Sequence, residues 1–301
     1  MCGFGRPRSD GIGRASQSLG FGSYCLTESK EYARPRSPEE ALALLEEHPH
    51  ATVLGGMMWL RLQDRTVPYA IDLASAGLDY VKHVDGKIHI GAMASIERAR
   101  TDEAFARLTA GAFAEATEGI VGTQFRNQAT VGGSVFSRMG FSDVLCCLLP
   151  FDAEVTLAKA GTLPLAEFAR MGTVHDVLTE VSLSDTPARA AFEGVRLSAT
   201  DFSALNVCAV WQDGSWRLAV GSLPKRAQLV DLSSCTLSEH PSNDELDRVE
   251  ELVAALPFGS DMRGSASWRK AAARKLARRA IEHAAANPLS SETSEIREDA
   301  R

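Results

Sequence analysis

Residues Gln128–Ser137 read QATVGGSVFS, and this stretch decides the fold. Thr130 and Val131 are β-branched and open a strand, yet Gly132 and Gly133 stop it at once. A glycine pair between apolar runs makes a tight turn or bulge. It also strips the backbone of Cβ atoms, so that an anion can rest directly on N–H groups. A matching pair, Gly55-Gly56, ends the apolar run ATVL at 51–54 and supports the second reading. The pairs lie roughly 75 residues apart, and each precedes a segment able to turn helical. Two such turns can offer two sets of amides to one pyrophosphate.

Outward from the pairs, Ser37-Pro38-Glu39-Glu40 is a capping box with proline at the first helical position, followed by Ala41, Leu44 and Leu45 on one face. ATVL and YAIDL (69–73) read as strands of a small βαβ-like unit, with MMWLRLQD (57–64) as a helical turn between them. Asp85-Gly86 marks a hairpin whose second strand ends at Gly91. Residues 95–117 carry helical spacing broken near Gly111. Residues 142–158 read as a buried helix followed by a strand, and 192–221 as antiparallel strands with a turn at Asp213-Gly214. A last helix over 267–286 sets Ala273, Leu276, Ala277 and Ala280 against a basic face, read as a solvated or partner-facing side.

A chain of 301 residues supports two or three subdomains. Its 45% hydrophobic and 24% charged residues are those of a soluble globular protein, and a net charge of −7 argues against a general nucleic-acid binder. No run approaches the ~18 apolar residues of a membrane span. Cysteines 2, 25, 146, 147, 208 and 235 show no metal-finger or C-x-x-C spacing, so they read as reduced cytoplasmic thiols that bring neither zinc nor an iron–sulfur cluster. Residues 1–28 are expected to be a disordered extension, with native translation starting near Leu26, and 287–301 a disordered tail. His83, His89 and His175 stand apart from one another and read as structural, and no catalytic acid, base or nucleophile is expected.

The succession VLGGMMWL, HIGAMASI, FRNQATVGGSVFS, SDVLCCLLPFDAEV resembles the flavin-binding (medium) subunit of molybdenum hydroxylases, the family of the xanthine dehydrogenase flavin domain and the carbon monoxide dehydrogenase medium subunit. PLAEF, DVLTEVSL, FEGVRLSATDFSALNVCAV, LAVGSLPKRAQLV and SDMRGSASWRKAAARKLARRA extend the likeness over about residues 30–285. The resemblance implies an α+β protein of the vanillyl-alcohol-oxidase type. A FAD-binding domain over 29–183, made of two α/β subdomains divided near residue 80, would precede an α+β C-terminal domain over 184–286. It further implies noncovalent FAD held by Val53, Leu54, Gly55, Gly56, Met57, Met58 and Trp59 in the first loop and by Thr130, Val131, Gly132, Gly133 and Ser134 in the second. Asp143 would bind cofactor hydroxyls, Leu178 would border the flavin ring through its backbone, and Arg126 and Asn127 would shape the loop. The implied partners are a molybdopterin-binding large subunit, a 2Fe-2S small subunit, and NAD or another electron acceptor.

Three places depart from the family pattern. Met57 and Met58 stand where a hydroxyl and a carboxylate are usual, Ser134 where an asparagine is expected, and Gly194 where a lysine is common. Backbone amides survive such changes, whereas side-chain hydrogen bonds do not. At ~0.5–1.5 kcal/mol each, the losses weaken FAD binding by about one to three decades. Two alternatives follow: a non-catalytic scaffold with weakened or lost FAD binding, and a stand-alone flavoprotein oxidoreductase.

Overall fold

The computed structural model describes residues 12–13, 17–18, 27–223 and 226–289. The expectation of a translation start near Leu26 and most of those for the chain ends lie outside the described residues.

The first sheet comprises β1 (Ile12–Gly13), β2 (Gln17–Ser18), β3 (Thr27–Ala33), β4 (Thr52–Leu54) and β5 (Arg65–Asp72), with β5 lying parallel between β3 and β4 and the two short strands antiparallel on β3. Helix α1 (Pro38–Glu47) crosses from β3 to β4, capped by Ser37 and buried through Ala41 and Leu45. A 3₁₀ turn at Leu60–Leu62 stands where a helical turn was read, so β4 and β5 form the expected βαβ-like unit. The strand β3 carries no such sequence signal, because TESKEYA is mostly polar.

The second sheet is antiparallel throughout. Its order is β6-β7-β10-β8-β9, formed by β6 (Val81–Val84), β7 (Lys87–Gly91), β8 (Glu154–Leu157), β9 (Gly161–Pro164) and β10 (Leu178–Ser184). Asp85 and Gly86 turn β6 into β7 with φ of 52° and 70°, as Asp-Gly hairpins require. Between β7 and β8 run α2 (Ile96–Thr101), α3 (Glu103–Leu108), α4 (Ala112–Glu118), α5 (Thr123–Arg126), α6 (Val131–Phe136) and α7 (Asp143–Leu148), and α8 (Leu165–Arg170) follows β9. Asp102 caps α3 by accepting the Phe105 N–H, which divides the 95–117 helix once before Gly111 divides it again. Gly132-Gly133 is a correction to the strand-and-turn reading. No strand precedes it; Thr130 is the N-cap of α6 and its Oγ1 accepts the Gly133 N–H, so the glycines form the first turn of a helix.

The third sheet runs β11-β12-β13-β14, with β11 (Ala188–Val195), β12 (Leu205–Gln212), β13 (Ser215–Gly221) and β14 (Gln228–Leu229), and carries α9 (Asn243–Ala254) and α10 (Ala266–Ala286). The alternation along β12 sends Val207 and Ala209 toward Val249, Ala273 and Ala277, and Cys208 and Val210 toward the core that holds α7. The strand is therefore covered on both faces and joins the C-terminal domain to the rest.

The basic face of α10 stays largely open to solvent, as read, and is laced to neighbouring acidic residues. Arg274, Lys275 and Arg278 converge on Glu250 of α9 at 3.4, 3.0 and 2.6 Å, while Arg279 and His283 reach Glu193 of β11. Burial alone would raise the Glu250 carboxyl, but its bonds to Arg278 and Lys275 outweigh that and hold it below the usual carboxylate range. A folded-state pKa below the unfolded one stabilises the protein fully above ~4.3, and that stability is lost as pH falls through the lower folded value. Glu250→Ala, which leaves only solvated cations and Arg278 still paired with Asp247, is expected to cost about 1 kcal/mol in urea melts at neutral pH. The gap between variant and wild type should close as the melts are repeated at progressively lower pH below ~4.

Candidate functional site

The first glycine loop, Gly55 to Trp59, leaves the end of β4 and turns through Met57, whose φ of 59° is left-handed. Val53 and Leu54 sit in β4 opposite Ile71 and Asp72 and place the loop. Met58 is buried beneath it, while Gly55, Gly56 and Met57 remain partly open. Among the described residues, the N–H groups of Gly56, Met57, Met58 and Trp59 have no protein acceptor. Consecutive free amides on an accessible turn are able to cradle an anion.

This loop rests on the second one. A Cβ at Gly56 would stand 1.8 Å from the Gln128 carbonyl oxygen, and one at Gly132 would stand 2.5 Å from that of Ala92. These two glycines are demanded by loop-on-loop packing. Gly55 and Gly133 flank one hydroxyl, since a Cβ at either would lie 2.9 Å from Thr130 Oγ1.

The amides of the second loop are a correction to the sequence reading. Val131 donates to Ala94 O at 2.9 Å, Gly132 to Ala92 O at 3.0 Å, Gly133 to Thr130 Oγ1 at 3.1 Å and Ser134 to Thr130 O at 3.1 Å. The connection after β7 takes the first two because α6 packs onto it. What the second loop offers is the Thr130 hydroxyl, which accepts from Gly133 and keeps its own proton to donate. The Ser134 hydroxyl is bonded locally to Thr130 O.

Asp143 is also anchored within the protein. Its buried carboxylate accepts from Arg196 Nη2, Ser203 Oγ and Asn206 Nδ2, all at 2.6 Å, so both oxygens are engaged by the C-terminal domain. The partners were missed because they lie 53 to 63 positions away. Gly194 pairs with Asn206 and adjoins this network, with the place of a Cβ 3.7 Å from Ser203 Oγ. Leu178 begins β10 at a register shift, beside Thr179, whose carbonyl accepts the Ala92 N–H. The backbone at Leu178 therefore adjoins the connection that supports Gly132. Arg126 shapes the loop as read, bonded to Glu97 and to carbonyls of Glu118 and Ile120, and Asn127 continues the same turn through Thr123 O. His83, His89 and His175 are bonded to Asp102, Glu180 and Leu45 O respectively.

A row of unbonded amides with a hydroxyl beside it, where two glycine loops meet, has the chemistry to hold a phosphate-bearing cofactor. Comparison with known proteins identifies which. Residues 27–183 match the FAD binding domain in molybdopterin dehydrogenase, and the chain belongs to that family of FAD-binding oxidoreductase subunits. It is 27% identical to the uncharacterized protein YgfM of Escherichia coli (strain K12) over 247 residues, covering 80% of this chain and 91% of that one. It is 24% identical to the nicotine 6-hydroxylase medium subunit of Paenarthrobacter nicotinovorans, covering 85% and 97%. In structure it resembles carbon monoxide dehydrogenase from Hydrogenophaga pseudoflava with a TM-score of 0.77 at 21% identity, covering 85% of this chain and 97% of that chain. The α+β fold and the FAD cofactor are those of the family. Among the described residues no helix is long and apolar enough to cross a membrane. The free amides of Gly56 to Trp59 and the Thr130 hydroxyl fit a pyrophosphate.

The two kinds of glycine separate experimentally. Gly132→Val drives methyl groups into Ala92 and should destabilise the protein by about 1–3 kcal/mol or more, with or without FAD. Gly133→Ala meets only the Thr130 hydroxyl and should keep the melting temperature of the apoprotein while weakening FAD roughly tenfold, the value of one hydrogen bond. Thermal melts and FAD titrations on both variants check this.

Proposed function

We propose that this chain is the electron-transfer subunit of a three-part cytoplasmic hydroxylase. It receives electrons from a 2Fe-2S small subunit, which takes them from a molybdopterin-binding large subunit, and it delivers them to NAD or another acceptor. The observation that carries this reading is the row of free amides at Gly56 to Trp59 beside Thr130. The match over 27–183 and the medium-subunit name of the nicotinovorans relative support it. FAD, when bound, supplies the electron exchange itself. The residues of the chain bind and position: Gly56 to Trp59 donate to the pyrophosphate, Thr130 adds one hydroxyl, and Asp143 with Arg196 fixes the C-terminal domain against the cofactor-binding one. None of them has to move a proton.

A scaffold with weakened FAD binding is the second reading. It is favoured by Met57 and Met58 in place of polar side chains, and by the engagement of Asp143 and of the second-loop amides within the protein.

Colour separates the two. The purified protein is expected to be yellow, and acid precipitation should leave all flavin in the supernatant because the attachment is noncovalent. FAD at a hundred times its dissociation constant should stabilise the apoprotein by about 2.7 kcal/mol, a shift of a few degrees in melting temperature. A colourless protein whose melt ignores FAD favours the scaffold, and flavin retained in the pellet contradicts noncovalent binding. Substrate oxidation should need co-expression of the molybdopterin and iron–sulfur subunits. Steady oxidation by the single chain would favour a stand-alone flavoenzyme.

A further inference from the structure

Trp59 closes the amide loop and is 41% exposed, a large aromatic residue left open to solvent. The indole stands edge-on to two phenylalanines, Phe141 at 5.7 Å and 64° and Phe202 at 5.3 Å and 83°, which contact each other at 4.1 Å. Edge contacts of this kind fix the orientation of a ring. Phe202 is backed by the Arg263 guanidinium, 5.3 Å from its centroid, and Arg263 is tied to Asp201 at 3.1 Å. Phe141 adjoins Ser142, the cap of α7. Trp59 is thus braced by residues from two distant parts of the chain, directly after the free donors of Gly56, Met57 and Met58.

Resting on the reading that this chain holds FAD, we propose that Trp59 is the stacking platform for one planar ring of the cofactor. Each ring of FAD is joined to its phosphate by one sugar-length linker, so a pyrophosphate on the loop brings a ring to the residues that border it. A flat indole face desolvates with a flat heteroaromatic ring, and the contact supplies affinity where Met57 and Met58 supply no side-chain hydrogen bonds. The platform also connects the cofactor to the C-terminal domain, because Phe202 and Arg263 brace it from there.

The test is a tryptophan-fluorescence titration of the apoprotein with FAD, FMN and ADP, comparing wild type with Trp59→Phe and Trp59→Ala. FAD should quench the wild-type emission, and the share of that quench due to Trp59 should be lost in Trp59→Phe, leaving only that of Trp211, Trp216 and Trp268; this variant keeps a stacking ring and binds FAD within about fivefold of wild type. Trp59→Ala should bind FAD roughly 10- to 100-fold more weakly. Quenching by FMN assigns the flavin ring to the platform and quenching by ADP assigns the adenine; either supports the proposal. Should Trp59→Ala fold poorly by circular dichroism, the quench lost in Trp59→Phe decides alone. Undiminished quenching in Trp59→Phe, or unchanged affinity in a folded Trp59→Ala, overturns the platform and leaves the FAD reading intact. A wild-type protein that takes up no FAD overturns both.

Discussion

A missing side chain sets the geometry of the site, because the Gly56 backbone lies so close to Gln128 that a Cβ would stand 1.8 Å from its oxygen. The contact joins the loop that leaves the parallel sheet to the loop that enters α6, and it is repeated one layer down where Gly132 lies on Ala92. Ala92 in turn donates to Thr179 on β10. The loops are therefore stacked backbone on backbone, with few side chains between them. This has a directional consequence. The second loop faces its support through N–H groups and uses them up, whereas the first loop faces the second through Cα atoms and leaves its own amides free.

The second constraint is electrostatic. Asp143 lies at the start of the fully buried helix α7, and a carboxylate there is tolerable only when fully hydrogen-bonded. Arg196, Ser203 and Asn206 meet that need from the β11–β12 region, so satisfying one buried charge also fixes the C-terminal sheet against the cofactor-binding domain. The same connection between β11 and β12 carries Phe202, which reaches Trp59. Residues 196–206 thus contribute both to domain packing and to the rim of the cradle.

Much of the fold was legible because its signals are local. Asp85-Gly86 and Asp213-Gly214 turn hairpins, Ser37 caps a helix, and the apolar run after Ser142 is buried. Gly55-Gly56 and Gly132-Gly133 were legible as a place of close approach, but what approaches each glycine was not. Whether an amide is free depends on a carbonyl such as that of Ala92, 40 residues from Gly132, and no motif encodes that bond. The partners of Asp143 and of the basic face of α10 were obscured for the same reason. Each charge is matched by residues far along the chain, and a lone carboxylate or basic stripe looks the same whether its partner is a ligand, water or another helix. The strand β3 escaped notice because its pairing to β5 is made by the main chain of a polar segment.

A cradle made of main chain is indifferent to side-chain identity but not to conformation, and this explains how GGMMW can stand where polar residues are usual. Met57 occupies the left-handed region at φ 59°, which costs a residue with a Cβ about 1–2 kcal/mol. Such a conformation persists only where its surroundings impose it. Here Gly56 is pressed onto Gln128 on one side and Met58 is buried on the other, so the residue between them has little freedom. On the function proposed above, the amides are thereby presented before the anion arrives, and little ordering is left to oppose binding. Apolar side chains can then be kept on this loop: Met58 serves as the anchor that holds the turn, and the hydrogen bonds it cannot make are partly replaced by the order it imposes on the donors beside it.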